Sequence, residues 1–173
     1  LASQLKQQGY DTLAFHPYKA HGWNRDTVYP LIGFDNFLDE TSMNPNGEKF
    51  RGWYSDAEDY NKIIDIFNKK KAGQPLFLFN VTIQNHGGYL IADKNFKEEI
   101  KIKDEKATDT ANRYLSLIHE SDRAFEKIIN YFKNQKEPTI VVMFGDHQPK
   151  LEDSFYELLY GCLLYTSPSP RDS

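Results

Sequence analysis

The sequence predicts an α/β domain built on a mainly parallel sheet with helices on both faces. Two runs, "LFLFNVTI" from Leu76 to Ile83 and "TIVVMF" from Thr139 to Phe144, are apolar at nearly every position, the pattern of strands covered on both sides. Helix-like and strand-like stretches also alternate along the chain, which argues for parallel strands joined by right-handed crossovers.

The elements follow in order. Leu1 and Leu5 stand at helical spacing and Gly9 stops that helix, after which "TLAF" from Thr12 to Phe15 reads as a short buried strand. Residues His16 to Arg25 are loop-like, "RDTVYPLIGF" gives a short helix closed by Gly33, and "FDNFL" another short strand. The Asn-, Pro- and Gly-rich stretch from Thr41 to Gly52 is expected to be a surface loop. Ser55 and Glu58 form a capping box that opens a helix from about Asp56 to Lys71, with Tyr60, Ile63, Ile64 and Phe67 on one face and Gly73 and Pro75 ending it. Ile91 to Ala107 is charged and unpatterned, a surface excursion. Thr110 to Lys133 predicts the longest helix, its face marked by Leu115, Ile118, Asp122, Phe125, Ile129 and Phe132, before "TIVVMF".

A length of 173 residues suits one domain, and 39% apolar with 14% aromatic content excludes a wholly disordered chain. With 21 basic and 25 acidic residues the net charge is −4 and no basic run appears, so a nucleic-acid partner is not expected. The end, "CLLYTSPSPRDS" from Cys162 to Ser173, departs from the rest in composition. Its first eleven residues match the in-frame reading of a transposase adapter used in sequencing libraries, so 162–173 is expected to be a non-native tail. The lone cysteine falls in that tail, leaving 1–161 without one. Truncation is expected at both ends.

Three polar clusters follow apolar runs, where the loops of an open parallel sheet converge on ligands. "FHPYKAHGWNRD" carries His16, Trp23 and Arg25; "QNHGGY" carries His86; "GDHQP" carries Asp146 and His147. Trp23 can wall a pocket while Arg25 clamps a phosphate, or the indole can anchor the loop with Arg25 in a surface ion pair. His86 can transfer a proton or hydrogen-bond a charged oxygen, or simply bond a backbone carbonyl. Asp146 and His147 offer one hard oxygen and one imidazole nitrogen, a donor mixture suited to Mn²⁺, Mg²⁺ or Zn²⁺; taken alone, such a pair is more often an Asx turn with a solvated histidine.

Taken in order, "FHPYKAHGWNRDTVYPLIGFDNF", "FNVTIQNHGGY", "YLSLIHESDRAFEKII" and "VVMFGDHQP" resemble segments of the lipoteichoic acid synthase and phosphoglycerol transferase family, within the sulfatase and alkaline phosphatase superfamily. The resemblance spans residues 1–161 and implies the C-terminal part of a sulfatase-like catalytic domain. It implies one divalent metal, Mn²⁺ or Mg²⁺, held partly by Asp146 and His147, and a threonine nucleophile upstream of Leu1. Phosphatidylglycerol would donate glycerol phosphate, leaving diacylglycerol, to a polyglycerol-phosphate or glycan acceptor. Trp23, Arg25 and His86 would bind the glycerol phosphate, with His86 also catalytic beside the reacting oxygen and His16 close by. It further implies a bacterial cell-membrane protein with its catalytic domain outside and membrane helices in the missing N-terminal part. Tyr18 stands where the synthases carry an acidic residue, and "HGGY" replaces an aromatic-rich loop, which leaves the acceptor open. A sulfatase, a phosphoethanolamine transferase and a non-catalytic binding domain are the alternatives, and the chain alone is expected to be inactive.

Overall fold

The computed structural model describes residues 1–90, 92–105 and 107–161. It divides into two units, Leu1–Gln84 and Asn85–Ser173. The tail expected at 162–173 lies outside the described residues.

The first unit is an α/β layer structure. Its sheet holds three parallel strands in the order β2-β1-β5, with β1 Asp11–Phe15 in the centre, β2 Asn36–Leu38 on one side and β5 Leu76–Asn80 on the other. Alternation along β1 sends Ala14 to one face and Phe15 to the other. Ala14 packs with Ala2 of α1 (Ala2–Gln7), with Tyr29 of α2 (Arg25–Leu31) and with Phe34, backed by Phe37, Phe77 and Phe79. Phe15 packs with Met43 and Tyr54 against Ile63 of α3 (Asp56–Lys69). Helices therefore cover both faces of this sheet, as the sequence predicts.

Local chemistry fixes the joints. Gly33 takes a φ of 98° after α2, a conformation costly for any side chain. Thr12, 1% exposed, donates from Oγ1 to Asp35 Oδ2 at 2.8 Å and accepts from Asp35 N at 2.9 Å. Lys6 pairs with the same carboxylate, and these hydrogen bonds hold Asp35 below its ordinary range. Ser55 accepts from Glu58 N at 3.2 Å, the serine half of the expected capping box, while the Ser55 amide donates to the Glu48 carbonyl at 3.0 Å. The stretch expected to be loop from Thr41 to Gly52 contains more order than that: β3 Lys49–Phe50 pairs antiparallel with β4 Trp53–Tyr54. Its turn uses Arg-Gly rather than the Asn-Gly that marks a hairpin in a sequence.

In the second unit a long helix, α4 (Asp109–Lys133), opens on Thr108, whose hydroxyl accepts from Ala111 N at 3.1 Å. A short helix, α5 (Asp153–Tyr160), follows. Two expectations are corrected here. The face of α4 that is buried carries Asn112, Arg113, Ser116, Leu117, Ser121, Ala124 and Ile128, while Ile118 on the expected face is exposed. The reason is polar: the irregular excursion before α4 needs its backbone satisfied. Asn112 Oδ1 accepts from Ile102 N at 2.8 Å, Ser116 Oγ from Ile100 N at 2.9 Å, and Arg113 donates to the Tyr89 carbonyl while pairing with Glu98. Second, residues 139–144 form no strand; Ile140, Val142, Met143 and Phe144 are exposed. An apolar run becomes a buried strand only where neighbouring strands pair its backbone and layers cover both faces, and 139–144 finds no such ladder among the described residues.

Candidate functional site

Beyond the carboxyl end of β1 the chain builds a compact aromatic and cationic cluster. His16 follows the strand directly, is 1% exposed, and donates from Nδ1 to the Val81 carbonyl at 2.6 Å; a carbonyl only accepts, so the proton sits on Nδ1. The Tyr18 and Trp23 rings are in T-shaped contact with it, at 6.2 and 6.4 Å between centroids. Trp23 is 44% exposed, and Arg25 places its guanidinium carbon 4.5 Å from the indole centroid, a cation–π stack. Arg25 Nη1 also donates to Gly22 O at 3.2 Å. Trp23 and Asn24 both have φ near +55°, at 56° and 53°, a left-handed pair unusual without glycine. That backbone strain holds the indole outward with Arg25 above it, a local arrangement of the sort found at ligand clamps. Of the residues singled out in the sequence, His16, Trp23 and Arg25 are thus brought together, with His16 buried behind the indole rather than at the surface.

The other three lie in the second unit. His86 is exposed, on the loop that opens it. Asn85 before it donates from Nδ2 to Ser121 Oγ at 2.7 Å, and the Asn85 carbonyl accepts from the Tyr89 hydroxyl at 2.6 Å, which ties the loop to α4 and to itself. Asp146 and His147 lie on the turn after the apolar run, both exposed. Asp146 Oδ1 accepts from His147 N at 2.9 Å, an arrangement resembling the solvated turn open from sequence.

His147 donates from Nδ1 to Gln148 O at 2.8 Å, which makes Nε2 the lone-pair nitrogen, as in metal-binding histidines whose other ring nitrogen is held by a carbonyl. Nε2 stands 3.6 Å from Asp146 Oδ2, close to the spacing of two neighbouring ligands on one ion with bonds of about 2.0–2.2 Å. The two residues fit as part of a ligand set. No group of three or more His, Cys, Asp or Glu side chains able to hold an ion occurs among the described residues.

Sequence reasoning missed a buried polar group around the start of α3. Asp56 and Asp59 are 2% and 0% exposed, and Gln84, 1% exposed, accepts through Oε1 from Asp56 N at 2.9 Å. Asn80, the last residue of β5, donates to Asp59. Burial drives the Asp59 carboxyl well above its ordinary range, the Asn80 hydrogen bond opposes this, and the Asp56 charge adds to it. The only signal in the sequence is the placement of Asp56 and Asp59 three apart in one helical turn, indistinguishable there from acidic residues favouring a helix N-terminus.

The sulfatase family model matches residues 1–168. The chain belongs to the sulfatase family. This sulfatase-family chain is 34% identical over 154 residues to a Rhizobium meliloti protein named for cyclic beta-1,2-glucan modification, with 87% of the chain covering 24% of that relative. It is similar to the crystal structure of the lipoteichoic acid synthase LtaP from Listeria monocytogenes, at 25% identity and a TM-score of 0.67, covering 77% of the chain and 32% of LtaP. The Streptococcus pyogenes phosphoglycerol transferase GacH, solved in complex with sn-glycerol-1-phosphate, shares the fold at 24% identity and a TM-score of 0.52, with 75% of the chain and 34% of GacH covered. The chain spans about a quarter of its curated relative and about a third of these solved structures. No helix among the described residues is long and apolar enough to cross a membrane.

Proposed function

We propose that this chain is the part of a phosphoglycerol transferase that binds the glycerol phosphate head of phosphatidylglycerol, which the complete enzyme passes to a polyglycerol-phosphate or glycan acceptor. The observation that carries the reading is Arg25 stacked 4.5 Å over Trp23 beyond the carboxyl end of the central strand. A guanidinium anchored over an indole by a cation–π contact keeps its in-plane N–H donors aligned as a fork, which matches two oxygens of a phosphate monoester or diester. Trp23, half exposed, supplies an apolar wall for the glycerol carbons. His16 fixes the indole from behind through its edge contact and its bond to Val81.

His86, exposed on a loop anchored by Asn85, is the group of this chain suited to hold or hand on a proton at the leaving or attacking oxygen. Asp146 and His147 would hold the divalent ion, Mn²⁺ or Mg²⁺, which when bound supplies positive charge to a phosphate oxygen. The relatives' greater length leaves room for the nucleophile, the remaining metal ligands and the membrane segments. Under this reading the enzyme works on the outer face of the bacterial cell membrane, where its lipid substrate lies, and residues 1–161 alone are inactive.

The test is the longer parent protein incubated with fluorescent phosphatidylglycerol and Mn²⁺. Diacylglycerol release is expected. Release from phosphatidylethanolamine or an aryl sulfate instead would reassign the chain to a phosphoethanolamine transferase or a sulfatase.

A further inference from the structure

Arg51 occupies a position where its residue type is out of place. Residues 51 and 52 are the two central residues of the hairpin in which Lys49 pairs with Tyr54 and Phe50 with Trp53. Both have positive φ, 55° for Arg51 and 84° for Gly52, the signature of the turn in which asparagine and glycine are favoured. An arginine there carries backbone strain that the hairpin itself does not require.

What the arginine gains is a contact 33 residues further along the chain. Its Nη2 donates to the Gln84 carbonyl at 2.7 Å, while the guanidinium carbon lies 4.9 Å from the centroid of the Trp53 ring, which orients it. Gln84 is held a second time, by its side chain, on the first amide of α3. Its main chain and its side chain are therefore both fixed from Leu1–Gln84, and Gln84 is the residue that leads into Asn85 and His86.

We propose that Arg51 is a positioning residue for His86: strain in the hairpin turn is offset by a charge-assisted bond that fixes the Gln84 peptide, and so sets where the His86 loop begins. A loop that carries a proton-handling side chain needs this, because a misplacement of about 1 Å at a reacting group costs on the order of a hundredfold in rate. The inference rests on the reading of His86 given above.

The experiment uses substitutions that suit the turn. Arg51→Asn and Arg51→Gly both favour positive φ, so they preserve the hairpin while removing the bond to Gln84; Arg51→Lys retains a cationic donor. Hydrogen exchange of the chain is expected to show amides at 85–89 exchanging at least tenfold faster in the Asn and Gly variants, with those of 49–54 unchanged and Arg51→Lys restoring part of the protection. In the parent protein, diacylglycerol release by the Asn variant is expected to lose on the order of tenfold to a hundredfold in kcat with a much smaller change in KM. Unchanged exchange at 85–89 would overturn the proposal. So would a uniform loss of protection across Leu1–Gln84, the mark of a purely structural role. If the wild-type parent releases no diacylglycerol, the functional reading fails, and the exchange experiment still decides whether Arg51 holds the loop.

Discussion

Asn80 donates from Nδ2 to Oδ2 of Asp59 at 2.8 Å, joining the carboxyl end of β5 to the first turn of α3 where Asp59 has no exposure to solvent. Asp59 Oδ1 and Asn80 Oδ1 are buried with no hydrogen-bond partner among the described residues. A protonated carboxyl, with an O–H to donate, suits such a place better than a carboxylate.

The first prediction follows from that pair. The folded state raises the Asp59 pKa well above the ordinary 3.8, so above about pH 4 the unfolded chain releases a proton that the folded chain keeps. Stability should therefore fall as pH rises from the unfolded pKa toward the folded one. Asp59→Asn, neutral at every pH, should flatten this slope and be neutral or stabilising near pH 8, whereas Asp59→Ala should cost about 1–3 kcal/mol by stranding the Asn80 amide. Urea melts between pH 4 and 9 check both; a slope unchanged in Asp59→Asn would show that Asp59 is not its source.

Gly33 gives the second. A Cβ at this position would overlap Ser3 Oγ and lie 2.9 Å from Ser3 N, at a φ of 98°. Gly33→Ala should destabilise the first unit by about 1–3 kcal/mol, since backbone strain and overlap with α1 act together. The urea midpoint measures it, and a variant as stable as wild type would contradict the close approach of α1.

Arg25 gives the third. Arg25→Lys keeps the charge but loses the flat stacked fork, and should weaken sn-glycerol 1-phosphate binding by about tenfold to a hundredfold, the range for hydrogen bonds to a charged group. Trp23→Ala should weaken it similarly by releasing the guanidinium from its stack. Calorimetry on the parent protein separates these from a general electrostatic role, in which Arg25→Lys would bind normally.

The turn after residue 144 gives the fourth. Asp146→Ala and His147→Ala should each lower Mn²⁺ affinity of the parent by more than about tenfold, and Gln148→Pro should do so less because the carbonyl that orients His147 is kept. Paramagnetic resonance of bound Mn²⁺ reads this directly; equal affinity in Asp146→Ala would leave the turn as a solvated one.

The sequence made legible what depends on neighbours along the chain. The strands at Asp11–Phe15 and Leu76–Asn80, the Ser55 cap, and the stop at Gly33 all follow from local pattern, as does the gathering of His16, Trp23 and Arg25 just past β1. What was not legible depends on contacts far along the chain. Whether α4 buries Leu115 and Ile118 or Asn112 and Ser116 is decided by an excursion whose amides need acceptors. Asp56, Asp59 and Gln84 look like surface residues until α3 folds them against the end of β5. The apolar residues of 139–144 predict a buried strand only on the premise that strands exist on either side.

The central claim is that the Trp23–Arg25 cluster holds glycerol phosphate. The most direct measurement is a titration of the protein with sn-glycerol 1-phosphate followed by nuclear magnetic resonance of the indole Nε1–H of Trp23 and the guanidinium of Arg25. The account predicts saturable shifts of both signals, lost in Arg25→Ala and not reproduced by inorganic sulfate at the same concentration. Unmoved signals, or shifts that sulfate reproduces, would contradict it.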